Sequence, residues 1–140
     1  MHADADAGAR IEPIAVGECW SLLGRQHLGR VAVLADGRPL VFPVNYSVAD
    51  GAVVLRVGES ILLDAAAGRP VAFEVDGDDV DYHEGWSVLV TGTARDETDP
   101  VRRSRLAELP LRPWAGGRRD HWVTIPVETI SGRRLVHAVD

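Results

Sequence analysis

The sequence predicts a mainly β protein, an antiparallel barrel of six or seven strands with short flanking helices. Three observations lead there. Apolar residues alternate with a period of two along much of the chain, most clearly at Leu40, Phe42, Val44, Tyr46 and Val48. Asp36-Gly37 and Asp50-Gly51, dipeptides suited to type I′ hairpins, separate consecutive alternating runs. Short strands joined by tight turns favour a barrel or sandwich over a parallel α/β sheet. Closing the sheet also removes the apolar edges that such strands would expose.

The elements follow in order. Residues 1–12 read as a disordered arm, and residues 13–140 as a single domain. Cys19, Leu22, Leu23 and Gln26 repeat at helical spacing and predict a short helix from Gly17 to Gln26. Val31 and Val33 begin the first strand, which ends at Asp36-Gly37. Leu40 to Val48 form the second strand, with Val41, Pro43, Asn45 and Ser47 on the face opposite the apolar one. The third strand sets Val53, Leu55 and Val57 against Ala52, Val54 and Arg56, and ends at Gly58. Ser60 is placed to cap a helix from Ile61 to Ala67 that stops at Gly68. Strand four carries Val71, Phe73 and Val75, and strand five runs from Trp86 to Ala94. Asp99-Pro100 has the form of an N-cap followed by a first-turn proline, opening a helix to about Leu109. His121 to Val127 and Arg133 to Val136 complete the sheet.

Composition narrows function. The 140 residues are 46% hydrophobic and 26% charged, as in an ordinary globular domain, with a formal net charge of −6. An acidic domain without a basic block is unsuited to nucleic acid or to an anionic membrane. All 15 basic residues are Arg, so lysine Schiff-base chemistry is excluded. One cysteine allows no internal disulfide and suits a reducing compartment, and the start of the chain lacks the apolar core of a signal peptide, so a cytoplasmic location is expected. The acidic run from Asp76 to Glu84 lacks calcium-loop spacing, and the five histidines lack zinc spacing, so no metal is expected. Ser87, Asp120 and His121 do not make a hydrolytic triad, since no nucleophile elbow surrounds the serine.

Several segments, in this order and spacing, carry a resemblance: Leu28 to Val33, Pro39 to Tyr46 ending Pro43-Val44-Asn45-Tyr46, Arg69 to Val75, Gly85 to Gly92, Pro113-Trp114-Ala115 and Asp120-His121-Trp122. From about Ile14 to Val136 the chain resembles the pyridoxamine 5′-phosphate oxidase-like, FMN-binding split-barrel proteins, especially their short actinobacterial-type members. The resemblance implies a homodimer with FMN in a groove between subunits. It puts Pro43, Val44, Asn45 and Tyr46 beside the isoalloxazine ring, Trp86 and Ser87 near its other side, and Arg56, Gly58 and Ser60 at the phosphate.

The residues agree in part. Arg56 can form a charge-assisted contact to phosphate. The family's usual Lys after the phosphate-contacting Ser/Thr is replaced here by Ile61 or Leu62, and Glu59 adds an anion, which together imply a loss of about 1–3 kcal/mol in FMN affinity. Arg112, Arg118 or Arg119 could compensate, and Trp114 and Arg119 are candidates to reach the partner's site.

What the resemblance implies is an FMN-dependent oxidoreductase acting on a small flat substrate, with a nicotinamide reductant. No side chain has the setting of a dedicated acid, base or nucleophile, which leaves the chemistry to the flavin. The alternatives are a split barrel for a related ligand, the deazaflavin coenzyme or haem, and a cofactor-free regulatory dimer. Five of the site residues also have a plain structural role open to them: Tyr46 and Trp86 as core aromatics, Asn45 and Arg56 as solvated strand residues, Ser60 as a helix cap.

Overall fold

The structure, a computed structural model, describes residues 9–79, 84–111 and 121–137. Its elements in chain order are β1 (Ala9–Ile14), α1 (Val16–Leu23), β2 (Leu28–Ala35), β3 (Arg38–Ala49), β4 (Ala52–Val57), α2 (Ile61–Ala66), β5 (Pro70–Asp79), β6 (Glu84–Thr93), β7 (Arg95–Asp96), α3 (Pro100–Leu106), β8 (His121–Pro126) and β9 (Thr129–His137). The nine strands form one antiparallel sheet in the order β1-β9-β6-β5-β2-β3-β4-β8-β7.

The turns are those the dipeptides require. Asp36 and Gly37 have φ of 52° and 75°, and Asp50 and Gly51 have 51° and 74°, two successive left-handed residues at each hairpin. These turns fix the register of β2 on β3 and of β3 on β4, so that Val31 pairs with Phe42 and Tyr46 with Leu55.

The sheet curls until β8 meets β6. A Cβ added at Gly92 of β6 would stand 2.3 Å from the main-chain oxygen of Pro126, an approach only glycine permits. Beyond β8, the Glu128 N–H donates to Thr91 at 2.9 Å and the Val127 N–H to Gly51 at 3.0 Å. Six strands, β2-β3-β4-β8-β6-β5, thereby enclose the barrel, and β9 with β1 extends from β6 as a wing. Phe73, Val31, Val53, Val75, Val88 and Val90 are fully buried inside.

α1 and α2 bury apolar faces against the barrel, whereas α3 buries no residue. α1 buries Cys19, Leu22 and Leu23 and packs on β9 and β6. Gly132 of β9 makes the room, because a Cβ there would lie 2.7 Å from Cys19 Sγ. Burial pushes the Cys19 thiol up, as for an inert core residue. Asp99 caps α3, accepting from the Arg102 N–H at 3.3 Å, and Pro100 opens its first turn. The segment after α3 brings Leu109 and Leu111 onto Val54 and Trp122, a second small cluster on the outside of β4 and β8.

The strand count differs from expectation. Residues 9–12, read as part of a disordered arm, belong to β1, which pairs along its length with β9 from Ala9↔His137 to Ile14↔Gly132. That pairing joins the two ends of the domain, and nothing local announces it: Ile11 and Ile14 are out of step for a strand. The short β7 is the other addition, formed where the chain bends after Ala94 and pairs with β8. α1 and α3 are shorter than predicted, α1 ending at a Gly24 cap and α3 at Leu106. Arg112, Trp114, Arg118, Arg119 and Asp120 lie outside the described residues, as does most of the acidic loop beyond Asp79.

Candidate functional site

β3 changes partners in its middle. From Arg38 to Asn45 it is paired with β2, and from Tyr46 to Ala49 with β4. The edge of residues 38–44 that faces away from β2 therefore meets no strand among the described residues. Backbone N–H and C=O groups are obligatory hydrogen-bonding groups, so an open edge of this kind is a surface with polar groups to offer a ligand. Pro43 is tolerated here for the same reason, since proline belongs on edge segments.

Where β3 changes partners, a cavity of about 450 Å³ is lined by His27, Asn45, Tyr46, Ala107, Leu109, Pro110 and Leu111. Small-molecule sites run from about 300 to 1,000 Å³, so this one suits a ring system rather than an ion. His27 and Asn45 are held together, with Asn45 Nδ2 donating to the His27 carbonyl at 3.3 Å and the Tyr46 N–H donating to the same oxygen at 3.1 Å.

Tyr46 contributes to this cavity from its inner side. Its ring is 3% exposed, meets Phe73 edge-on with centroids 4.8 Å apart, and donates its hydroxyl to the Leu23 carbonyl. Burial pushes its phenol well above the usual range, so it stays protonated. The core-aromatic role of its side chain is the one the structure bears out. Pro43 is exposed, and Val44 packs on the core.

Arg56, Gly58 and Ser60, assigned to phosphate, are not among the residues that line this cavity. Arg56 follows Leu55, the partner of Tyr46, so it lies at the same end of the β3–β4 ladder as Asn45. Its guanidinium stands 5.3 Å from the centre of the Trp122 ring. Ser60 caps α2, its Oγ accepting from the Leu63 N–H at 3.2 Å while donating to the Gly58 carbonyl at 3.1 Å. The hydroxyl proton is thus already engaged, and Ser60 would have to surrender that bond to donate to a phosphate.

Trp86 and Ser87 stand apart from this group. They occupy opposite faces of β6, with the Trp86 ring lying over Gly77 of β5, where a Cβ would come within 2.8 Å of it. Ser87 pairs with Asp76 on one side and Arg133 on the other. β6 is three strands from β3 in either direction around the barrel, so one copy of the chain does not bring Trp86 and Ser87 to Pro43–Tyr46.

A charged constellation beside the end of β4 was not visible in the sequence. His121, paired with Val57, has its Nδ1 2.9 Å from Asp96 Oδ2 and its Nε2 2.5 Å from Glu59 Oε1. The hydrogen bond with Glu59, reinforced by Asp96 and opposed by partial burial, raises the imidazole above its ordinary pKa. In the sequence Glu59 stands out as an unwelcome anion, and His121 as part of the Asp120-His121-Trp122 segment and as a rejected triad member. Residues 59, 96 and 121 share no motif, so no local signal joins them. His27 and Leu109–Leu111 were missed for the same reason.

A closed antiparallel barrel extended by a β9–β1 wing places the chain in the split-barrel class. Residues 15–134 match the profile of the pyridoxamine 5′-phosphate oxidase family, and the chain belongs to that family. It is 37% identical over 125 residues to the uncharacterized protein Rv0080 of Mycobacterium tuberculosis, across 85% of this chain and 82% of that one. Among solved structures it is similar to the FAD binding protein of Mycobacterium smegmatis, with a TM-score of 0.81 and 34% identity, over 91% of this chain and 100% of that one. An FAD and heme binding protein of the same organism shares the fold, with a TM-score of 0.67 and 20% identity, over 95% of this chain and 74% of that one.

Proposed function

We propose that the chain is a homodimeric flavin-binding oxidoreductase that takes FMN and acts on a small flat substrate with a nicotinamide reductant. The observation that carries this reading is the open edge of β3 beside a cavity large enough for a ring, with Arg56 at the same end of the ladder. The likeness to an FAD binding protein at 34% identity supports a flavin in particular.

The residues fit the cofactor in stated ways. Main-chain groups of residues 38–44 would meet the polar atoms of the ring, and Leu109, Pro110 and Leu111 would cover its apolar part and exclude water. Arg56 would hold the phosphate. When bound, the flavin supplies hydride or electron transfer, and the chain supplies orientation and a dry pocket.

Dimerisation is part of the same reading. The outer face of β2, β3, β5 and β6 presents Leu34, Val41 and Leu89 at 62%, 61% and 39% exposure, around the small residues Ala32 and Ala72. The same face carries the ion pairs of Arg30 with Glu74 at 3.1 Å and Asp76 at 2.8 Å, so it is a mixed surface whose exposed apolar residues would gain from a covering copy. A second copy on this face would bring Ser87, which shares it with Leu89, towards the partner's β3, while Trp86 lies on the opposite face of β6.

Titration of the purified chain with FMN, FAD and the deazaflavin coenzyme, followed by flavin fluorescence, tests the proposal. Saturable quenching by FMN at one equivalent per protomer is expected, and no saturable change with any flavin would overturn it. His27 in the cavity wall would be the residue to hold a haem iron, and a Soret band on adding haem, with no flavin response, would select that second reading.

A further inference from the structure

His121 is enclosed by carboxylates from two different elements, Asp96 at the end of β7 and Glu59 in the loop between β4 and α2. A neutral imidazole carries one N–H, and its bare nitrogen would then oppose a carboxylate lone pair. Two carboxylates on one ring therefore select the imidazolium, with both nitrogens donating. Arg56, the nearby cation of β4, is directed over Trp122, the residue next to His121.

The two carboxylates are not equivalent. The Asp96 side chain is 28% exposed, and its second oxygen, Oδ1, is buried without a partner among the described residues. The Glu59 side chain is 79% exposed. An exposed glutamate loses little by leaving an ion pair, because water solvates it at once. Asp96 is the fixed counter-ion that sets the ring, and Glu59 is the replaceable one.

We propose that His121 Nε2 is an anion-binding position that Glu59 fills in the absence of ligand, and that a phosphate monoester displaces Glu59 to take it. The exchange moves no proton off the ring, because one anion replaces another on the same N–H. It gives the chain a cation for phosphate where Ile61 and Leu62 supply none, and it makes Glu59 a competitor that sets how tightly phosphate is held. That the phosphate belongs to a flavin nucleotide rests on the proposed function; the exchange on His121 does not.

The test compares wild type, Glu59→Gln and His121→Gln for binding of FMN and of riboflavin, which lacks the phosphate. It also follows the His121 ring signals by NMR as inorganic phosphate is added. Glu59→Gln should tighten FMN relative to riboflavin by about tenfold, and His121→Gln should weaken it by about the same factor, the range for a charge-assisted hydrogen bond. Phosphate should shift the His121 signals, and at lower concentration in Glu59→Gln. An unchanged FMN-to-riboflavin ratio in Glu59→Gln, or His121 signals indifferent to phosphate, would overturn the proposal. Glu59 is exposed, so its variant decides the matter even if His121→Gln fails to fold. Should neither flavin bind while phosphate still moves the His121 signals, the flavin reading falls and the anion position stands.

Discussion

Tyr46 donates its hydroxyl to the main-chain oxygen of Leu23, fastening the middle of β3 to the last turn of α1. Both groups are buried, so removing the donor leaves an acceptor unsatisfied. Tyr46→Phe keeps the edge-on contact with Phe73 and should lose about 1–2 kcal/mol of stability, read from urea denaturation midpoints. An unchanged midpoint would mean that water reaches the Leu23 carbonyl.

Barrel closure depends on the missing side chain at Gly92. The atom it would strike belongs to the backbone of Pro126, which cannot rotate aside. Gly92→Ala should destabilise by about 1–3 kcal/mol, as for overpacking a full site. Gly17→Ala is the control, because a Cβ there meets nothing within 4 Å. Thermal unfolding of the two variants should separate them clearly.

Arg56 is the cation assigned to phosphate on β4. Arg56→Ala should weaken FMN binding by about 1.5–3 kcal/mol, the range for a hydrogen bond to a charged group. Riboflavin affinity should hold steady, and equal losses for both ligands would place Arg56 at the ring instead.

The imidazolium of His121 makes stability depend on pH in a defined direction. Its folded-state pKa lies above the unfolded value, chiefly through the bond to Glu59. The stabilisation is complete below about pH 6.5, the unfolded value, and disappears as pH rises through the folded-state pKa. Denaturation midpoints of wild type should fall across that window, and those of His121→Gln should lack this step.

A charge on the outer sheet face should separate subunits. Val41 is 61% exposed and pairs with Ala32 on that face. Val41→Arg should sediment as a monomer where wild type sediments as a dimer. A wild-type monomer would remove the second copy from the proposed groove.

The fold was legible where the causes are local. Asp36-Gly37 and Asp50-Gly51 announced their hairpins because their left-handed backbone favours those residues. Ser60 and Asp99 announced their helices because each cap bonds a residue three positions on. β1 escaped notice because its partner lies at the opposite end of the chain, and residues 9–12 alone carry too little apolar surface to specify a strand. The site divides in the same way. Asn45 and Arg56 were assigned to the site through the resemblance, and their strands bring them to one end of a ladder. The Asp96–His121–Glu59 constellation depends on closure of the barrel, which brings together residues that no sequence window contains.

The change of partners at Asn45–Tyr46 also sets a pattern of hydrogen exchange. Amides of 38–44 that point away from β2 lack a ladder acceptor, so in the empty protein they should trade protons with solvent far faster than those turned toward β2. A guest seated along that edge should slow them selectively, leaving a footprint on alternate residues of a single strand.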